Sequence, residues 1–413
     1  MSEVIKQMEI KGSMATAVAF TRVIEPEAVE QIRRMLSSPA AEGSRVRIMP
    51  DVHLGKGCTI GTTMTIHDKL VPNLVGVDIG CGMYTVPLGK VELDLPRIDA
   101  AAHAIPHGFS VWEKKREDFD LTALRCYMAL RDPDRLERSL GTLGGGNHFI
   151  EIDMDPDGNF YLVIHSGSRD LGRQTAEHYQ NLAVELLSEK EKEEGKKERE
   201  ELVRDLIEAG RKEEIQAALA QLSERRRAEA LPDDLAYLTG DAMEDYLYDT
   251  AICQAFARRS REKMAEILLL SAGISPRPEG GMKTPFHTIH NYIDPRERIL
   301  RKGAIAAHKG EIVLIPINMR DGAILGEGIG REDWNFSAPH GAGRLFSRAR
   351  ARELLSLADY QEQMRGIYTT SVSEKTLDEA PLAYKSMADI LEICQASVRV
   401  LSILRPVYNF KAD

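Results

Sequence analysis

Residues 140–172 read LGTLGGGNHFIEIDMDPDGNFYLVIHSGSRDLG, and how this stretch is taken decides the fold. Short apolar runs alternate with glycine clusters, the pattern of strands separated by tight turns. Residues 45–91 and 299–344 have the same texture. Between the second and third blocks the composition reverses. Residues 174–231 include EKEKEEGKKEREELVRDLIEAGRKEEIQAALAQL, where Leu202, Leu206 and Ile207, then Ile215, Leu219 and Leu222, recur at helical spacing on a charged background. That predicts a two-helix hairpin turning near Gly210, with a mobile charged insertion as the alternative. Pro232-Asp233-Asp234 is expected to cap a further helix over 246–270, and residues 347–404 read as mainly helical. No repeat of fixed period is present. The reading is α+β: a single discontinuous domain over 1–413 with a charged helical-hairpin insertion at 174–231.

The chain has 413 residues, 43% hydrophobic and 29% charged, which supports a sizeable core and excludes wholesale disorder. The longest apolar runs, near 267–272 and 312–317, fall far short of the ~20 residues of a membrane span. The opening residues MSEVIK carry no basic, then apolar, secretory pattern. Five scattered cysteines make no disulfide framework, so a cytoplasmic location is expected. The net charge of −10 argues against nonspecific nucleic-acid binding, and any nucleic-acid role would need a local basic groove.

The Gly-rich blocks each carry a residue with chemistry. GVDIGCGM (76–83) sets Asp78 three residues before Cys81, a hard carboxylate beside a soft thiolate; alone, this spacing suits a buried structural cysteine equally well. GGGNHFIEI (144–152) offers Asn147 and His148, VIHSGSRDLG (163–172) offers His165, and HTIHNYI (287–293) offers His287 and His290. Each histidine alone could be a core residue, but several in separate Gly-rich segments is how strand-end loops converge on a site. Asp78, Cys81, His148, His165 and His290 exceed the needs of one structural zinc and suffice for two metals if the thiolate bridges. In SAPHGAGR (337–344), His340 lies beside glycines that a phosphate could approach, and imidazole is a competent nucleophile at phosphorus. Arg344, Arg348, Arg350 and Arg352 follow, either phosphate-pairing guanidiniums or a solvated helix face. Neither a P-loop nor a Rossmann fingerprint is present. In MPDVHLGKG (49–57), spacing does not decide the roles of Asp51, His53 and Lys56.

Taken in order, MPDVHLGKG, GVDIGCGM, LGGGNHFIEI, HSGSRDLG, HNY, RKGA and HGAGR resemble the RtcB family of GTP-dependent RNA ligases, from about residue 49 to the C-terminus. The resemblance implies joining of an RNA 3′-phosphate or 2′,3′-cyclic phosphate end to a 5′-hydroxyl end, in tRNA splicing or RNA repair, with GTP and two Mn²⁺ ions. It implies metal ligands Asp78, Cys81, His148, His165 and His290, with Cys81 bridging, and His340 as the nucleophile that becomes guanylylated. Asn147, the backbone of His148, Phe149, Ile150 and Glu151, His290, Asn291 and the turn Gly341, Ala342 and Gly343 would surround the guanylate, with Tyr384 and Lys411 at the guanine. Arg169 and Arg344 would grip RNA phosphates, and an activating protein is a further partner compatible with the resemblance. The family's Pro-Gly-Ser-Met turn reads Pro316, Ile317, Asn318 and Met319 here, and Ala323 replaces a small polar residue, so a divergent paralogue is expected. The competing readings are a metal-dependent cyclic phosphodiesterase, for which His340 would be dispensable, and an RNA-end binding protein without ligase activity.

Overall fold

The computed structural model describes residues 7–21, 23–278 and 282–411, so the N-terminal hexapeptide read for a secretory signal lies outside them. The architecture is α+β, and all three Gly-rich blocks form strands. One six-stranded sheet runs in the order Met8–Lys11, Thr16–Ala19, Val46–His53, Ile60–Thr65, Ile299–Lys302 and Asn291–Asp294. A seven-stranded antiparallel sheet runs Ile312–Asn318, Gly322–Gly328, Val398–Lys411, Phe149–Met154, Phe160–Ser166, Gly82–Gly89 and Phe286–Ile289. A short ladder pairs Ala304–Ala306 with Ser337–Pro339.

The helix Gly240–Ala272 joins two cores. Its Tyr246, Cys253 and Phe256 pack with Ile48, Met64 and Leu300 of the six-stranded sheet, while Met264, Ala265 and Leu268 pack with Ile150, Ile164 and Tyr408 of the seven-stranded sheet. Phe256 and Leu268 are fully buried, so truncating either to Ala costs about 2–5 kcal/mol. The helix stops at Gly273, whose φ of 72° is readily adopted without a side chain.

The helical hairpin forms from Arg169–Glu208 and Ile215–Glu229, turning at Gly210 as expected. Its first helix starts before 174, because Leu171, Thr175, Ala176, Tyr179 and Ala183 are buried against the body. The distal half is tied by ion pairs from Arg225 and Arg226 to Glu198. One expectation shifts: Pro232-Asp233-Asp234 leads into a short 3₁₀ turn, Asp233–Leu235, and the long helix starts separately at Gly240, within the TGDAMEDY segment at 239–246.

The mainly helical reading of 347–404 holds for Arg348–Leu354, Leu357–Gln363 and Met387–Cys394 but fails at its end. Val398–Lys411 is a 14-residue strand between two others. Its β-branched and aromatic content suits a pleated surface, and Pro406 is tolerated at a register shift. Among the described residues no helix is long and apolar enough to cross a membrane, and the five cysteines are free and buried.

Candidate active site

Cross-strand register assembles the candidate ligands. Met83 pairs with His165 and His165 with Phe149, so Cys81, His165 and His148 leave adjoining strand ends; Gly82 pairs with Ile289, which delivers His290. Cys81 Sγ lies 3.4 Å from His148 Nε2 and 3.3 Å from His165 Nε2. Asp78 Oδ2 is 3.0 Å from His148 Nε2, and His165 Nε2 is 3.0 Å from His290 Nε2. Two triads result, Asp78–Cys81–His148 and Cys81–His165–His290, each with its ligand atoms within 4.8 Å, and Cys81 belongs to both.

This donor set fits divalent cations. His148 Nδ1 contacts the Leu143 carbonyl at 2.8 Å and His165 Nδ1 the Asn147 carbonyl at 3.2 Å. Those acceptors place the ring protons on Nδ1 and leave the Nε2 lone pairs facing inward. Burial holds His165 and His290 well below the usual imidazole range, hence neutral. Lone pairs, a carboxylate and a sulfur then converge with few hydrogens between them, and a cation would reconcile that arrangement. Two glycines make the approach feasible: a side chain at Gly144 (φ 91°) would collide with His148 and Arg169, and one at Gly167 with the Asp78 carboxylate. Beneath the cluster, fully buried Arg261 donates through Nη1 to the carbonyls of Gly80 and Ser166, both at 2.7 Å, tying the long helix to two ligand-bearing turns. Burial lowers its guanidinium to about 10, against the pull of Cys81 and Asp78.

His340 follows the strand Ser337–Pro339, with its ring centroid 5.0 Å from that of His290. Its Nδ1 is 2.7 Å from Asp51 Oδ2, and its backbone N–H donates to the same oxygen at 3.2 Å. Asp51 is fully buried, so the contact is shielded from water. The carboxylate fixes the imidazole tautomer and leaves Nε2 as the basic nitrogen. His53, whose Nδ1 meets the Asp51 carbonyl at 3.0 Å, is lowered by burial.

Both histidine groups open onto a cavity of about 270 Å³. Of the predicted residues, Asn147, Phe149, Glu151, His165, His290, Asn291, Pro316, Ile317, Asn318, Met319, His340, Gly341, Ala342, Gly343, Arg344, Tyr384 and Lys411 line it. Asp78, Cys81, His148, Arg169, Ile150 and Ala323 do not: His148 is turned to Asp78 and Cys81, Ile150 belongs to the core behind the sheet, and Ala323 pairs with Pro316 inside a second core. The Asn318 side chain caps its own turn, accepting from Arg320 N–H and Asp321 N–H and donating to Asp321 Oδ2 at 2.8 Å.

The cavity also holds residues that sequence reasoning missed. Glu379, 2% exposed, accepts from Tyr384 OH at 2.6 Å and Arg348 Nη1 at 2.5 Å and pairs with Lys411. Burial pushes its carboxyl up, but Lys411 and Arg348 override that and hold it at about 2. Asn409 donates to Glu151 Oε2 at 2.5 Å. Behind Glu151, Asp153 is fully buried with neither oxygen hydrogen-bonded among the described residues. Burial raises both carboxyls, and Asp153 raises Glu151 further.

The arginines are mostly engaged within the protein. Arg169, at φ 60°, donates to Thr142 Oγ1 at 3.1 Å and the Gly108 carbonyl at 2.6 Å. Arg344 reaches the Asp378 carbonyl at 2.5 Å and Tyr384 OH at 3.1 Å. Arg348 and Arg352 pair with Asp378, and Arg350 with Glu353, so that basic run is neither a plain solvated face nor an open phosphate clamp.

The family model described as tRNA-splicing ligase RtcB matches residues 31–126 and 122–412. The chain is similar to a protein of Escherichia coli named RNA-splicing ligase RtcB, with 29% identity over 94% of this chain and 95% of that one. It is also similar to the tRNA-splicing ligases RtcB of Archaeoglobus fulgidus, with 25% identity over 94% and 91%, and of Aeropyrum pernix, with 24% over 87% and 86%. A match that runs through every candidate ligand, His340 and the terminal strand leaves one assignment: the chain belongs to the RtcB family.

Proposed function

We propose that this protein is an RNA ligase that joins an RNA 3′-phosphate or 2′,3′-cyclic phosphate end to a 5′-hydroxyl end through a guanylylated His340, in tRNA splicing or RNA repair. The observation that carries this reading is the imidazole of His340, clamped through Nδ1 by buried Asp51 at 2.7 Å and set in one cavity with His165 and His290 of the candidate ligand cluster. With Nδ1 so engaged, Nε2 is the nitrogen that attacks the α-phosphorus of GTP; the P–N bond forms as pyrophosphate leaves. An oxygen of the RNA 3′-phosphate then displaces the imidazole, making a phosphoanhydride. The 5′-hydroxyl attacks the RNA phosphorus, loses its proton and expels GMP. A cyclic phosphate must first be opened by water to the 3′-phosphate.

Asp78, Cys81 and His148 would hold one Mn²⁺, and Cys81, His165 and His290 a second, with charge that stabilises phosphate oxyanions. The Glu151 carboxylate, when ionised, can accept from guanine N1–H and N2–H, a pair of donors that adenine does not present. Tyr384 and Lys411 flank it, while Asn147, Asn291 and the 341–343 turn surround the phosphate. Arg169 and Arg344 supply local positive charge despite the net −10 of the chain. Five buried thiols without disulfides fit a reducing compartment, and we place the reaction in the cytoplasm.

The test is incubation with α-³²P-labelled GTP, or ATP, and Mn²⁺, followed by denaturing electrophoresis beside His340→Ala. Acid-labile label from GTP, absent in the variant, is the expected result. Metal-loaded, folded protein that takes up no label from either nucleotide would overturn the reading in favour of cyclic phosphodiesterase or RNA-end binding.

A further inference from the structure

Beside the glycine turn that carries Asn147 and His148 lies a second turn, residues 107–110. Gly108 N–H donates to the Gly144 carbonyl at 2.7 Å, Leu143 N–H to the Pro106 carbonyl at 2.9 Å, and Ser110 N–H closes on the His107 carbonyl at 3.1 Å. Two guanidiniums hold its outer carbonyls. Arg169 Nη2 donates to Gly108 O at 2.6 Å, and Arg135 Nη2, from the short helix Pro133–Arg138, donates to Phe109 O at 2.5 Å. Downstream, Trp112 Nε1 donates to the Gly141 carbonyl at 3.0 Å and Arg138 Nη1 to the Trp112 carbonyl at 3.2 Å. The turn is fastened from every side.

On this ordered turn the Phe109 side chain is 94% exposed, the most exposed large apolar side chain among the described residues. A scattered surface phenylalanine is unremarkable in itself. Here, however, the ring is presented by a rigid turn, next to the turn that bears a metal-ligand candidate, with two guanidiniums on adjacent carbonyls. An aromatic face beside arginines is the combination that takes single-stranded nucleic acid: the ring stacks a base of any sequence and the guanidiniums take the neighbouring phosphate. Each guanidinium has five N–H donors, of which the turn's carbonyls use only one apiece. Because the turn is already ordered, stacking would cost little further entropy.

We propose that Phe109 is a stacking platform for an unpaired base near the reacting end of the RNA, with Arg135 and Arg169 taking the adjoining phosphate. This subsite rests on the RNA-ligase reading above and deepens it: the strand must be unpaired where it passes the 107–110 turn, which favours single-stranded ends over blunt duplexes.

The experiment uses the full chain and short 3′-phosphate RNAs carrying 2-aminopurine at each of the last four positions in turn. It measures fluorescence quenching and affinity at several salt concentrations, with guanylylation by labelled GTP run in parallel. Phe109→Ala should relieve quenching at one position and weaken binding by about 5- to 100-fold with unchanged salt dependence, and Phe109→Trp should restore both. Arg135→Ala should instead lower the slope of log affinity against log salt by about one. Wild-type affinity and quenching in Phe109→Ala overturn the proposal, as does a change in oligomeric state in place of RNA affinity. Failure of the unaltered protein to take up label would sink the ligase reading, while the binding measurements still decide the role of Phe109.

Discussion

The cavity has two walls built on different principles. One wall carries His165 and His290, with Cys81 and His148 behind them, and is made of strand ends fixed by register, with glycine turns beside Cys81, His148 and His165. The other part of the lining, with Glu151, Glu379, Tyr384, Asn409 and Lys411, is held by buried charges and hydrogen bonds meeting across long stretches of chain. Backbone placement tolerates the loss of one neighbour. Buried ion pairs do not, because removing one partner strands the other in a low dielectric. The two walls should therefore fail in different ways when altered.

Asp51→Asn should separate chemistry from folding beside His340, the proposed nucleophile. Asp51 touches the backbone and Nδ1 of His340, and the amide can keep the space while presenting an N–H toward Nδ1. Guanylylation should slow by about 10²–10⁴-fold with little change in the GTP concentration for half-saturation or in melting temperature. A variant that labels at the wild-type rate would show that Asp51 is only a packing group.

Glu379→Ala should break the other wall by unfolding it. Lys411, Arg348 and Arg344 would lose the carboxylate they share, at a cost of about 3–5 kcal/mol by denaturant titration. The same pair gives an acid dependence. The carboxyl is held at about 2 in the folded state against an ordinary value of 4.5, so its contribution is complete above about pH 4.5 and fades as the pH falls toward 2. Glu379→Ala should lack that loss. An unchanged acid transition would mean that Lys411 and Arg348 find other partners.

The contrast between the walls also explains what was legible. Asp78, Cys81, His148 and His165 stand in Gly-rich segments because the backbone must turn tightly where these strands end, and such segments are visible in one dimension; His290 has no glycine beside it and is marked only by His287 and Asn291. Glu379 sits in EKTLDE, which reads as surface charge; only the arrival of Lys411 and Arg348 buries it. Lys411 and Asn409 arrive on the strand Val398–Lys411, whose pairing partner Phe149–Met154 lies far back in the sequence. Local pattern had assigned part of that strand to a helical region. Asp51 was visible in its motif but not in its role, since its partner is 289 residues away.

Asp153 sharpens the comparison with the smallest effect. It lies two residues beyond Glu151 on the same strand, fully buried, and the Glu151 carboxyl is its polar neighbour in the interaction that shifts both groups. Burial raises its carboxyl above the ordinary range. An acid whose folded value is raised contributes nothing unfavourable while both states are protonated, then costs stability as the pH climbs from the ordinary value of 3.8 to the folded value of about 7. Asp153→Asn should therefore leave stability near pH 3 unchanged and add about 1–3 kcal/mol at pH 8, where the buried carboxylate would otherwise be charged. It should also let Glu151 ionise more readily, since Asp153 pushes that carboxyl up, and so strengthen GTP binding near neutral pH. A variant that gains stability equally at both pH values would show that packing, rather than charge, is what Asp153 spoils. In that case the region behind Glu151 would be governed by shape rather than by charge.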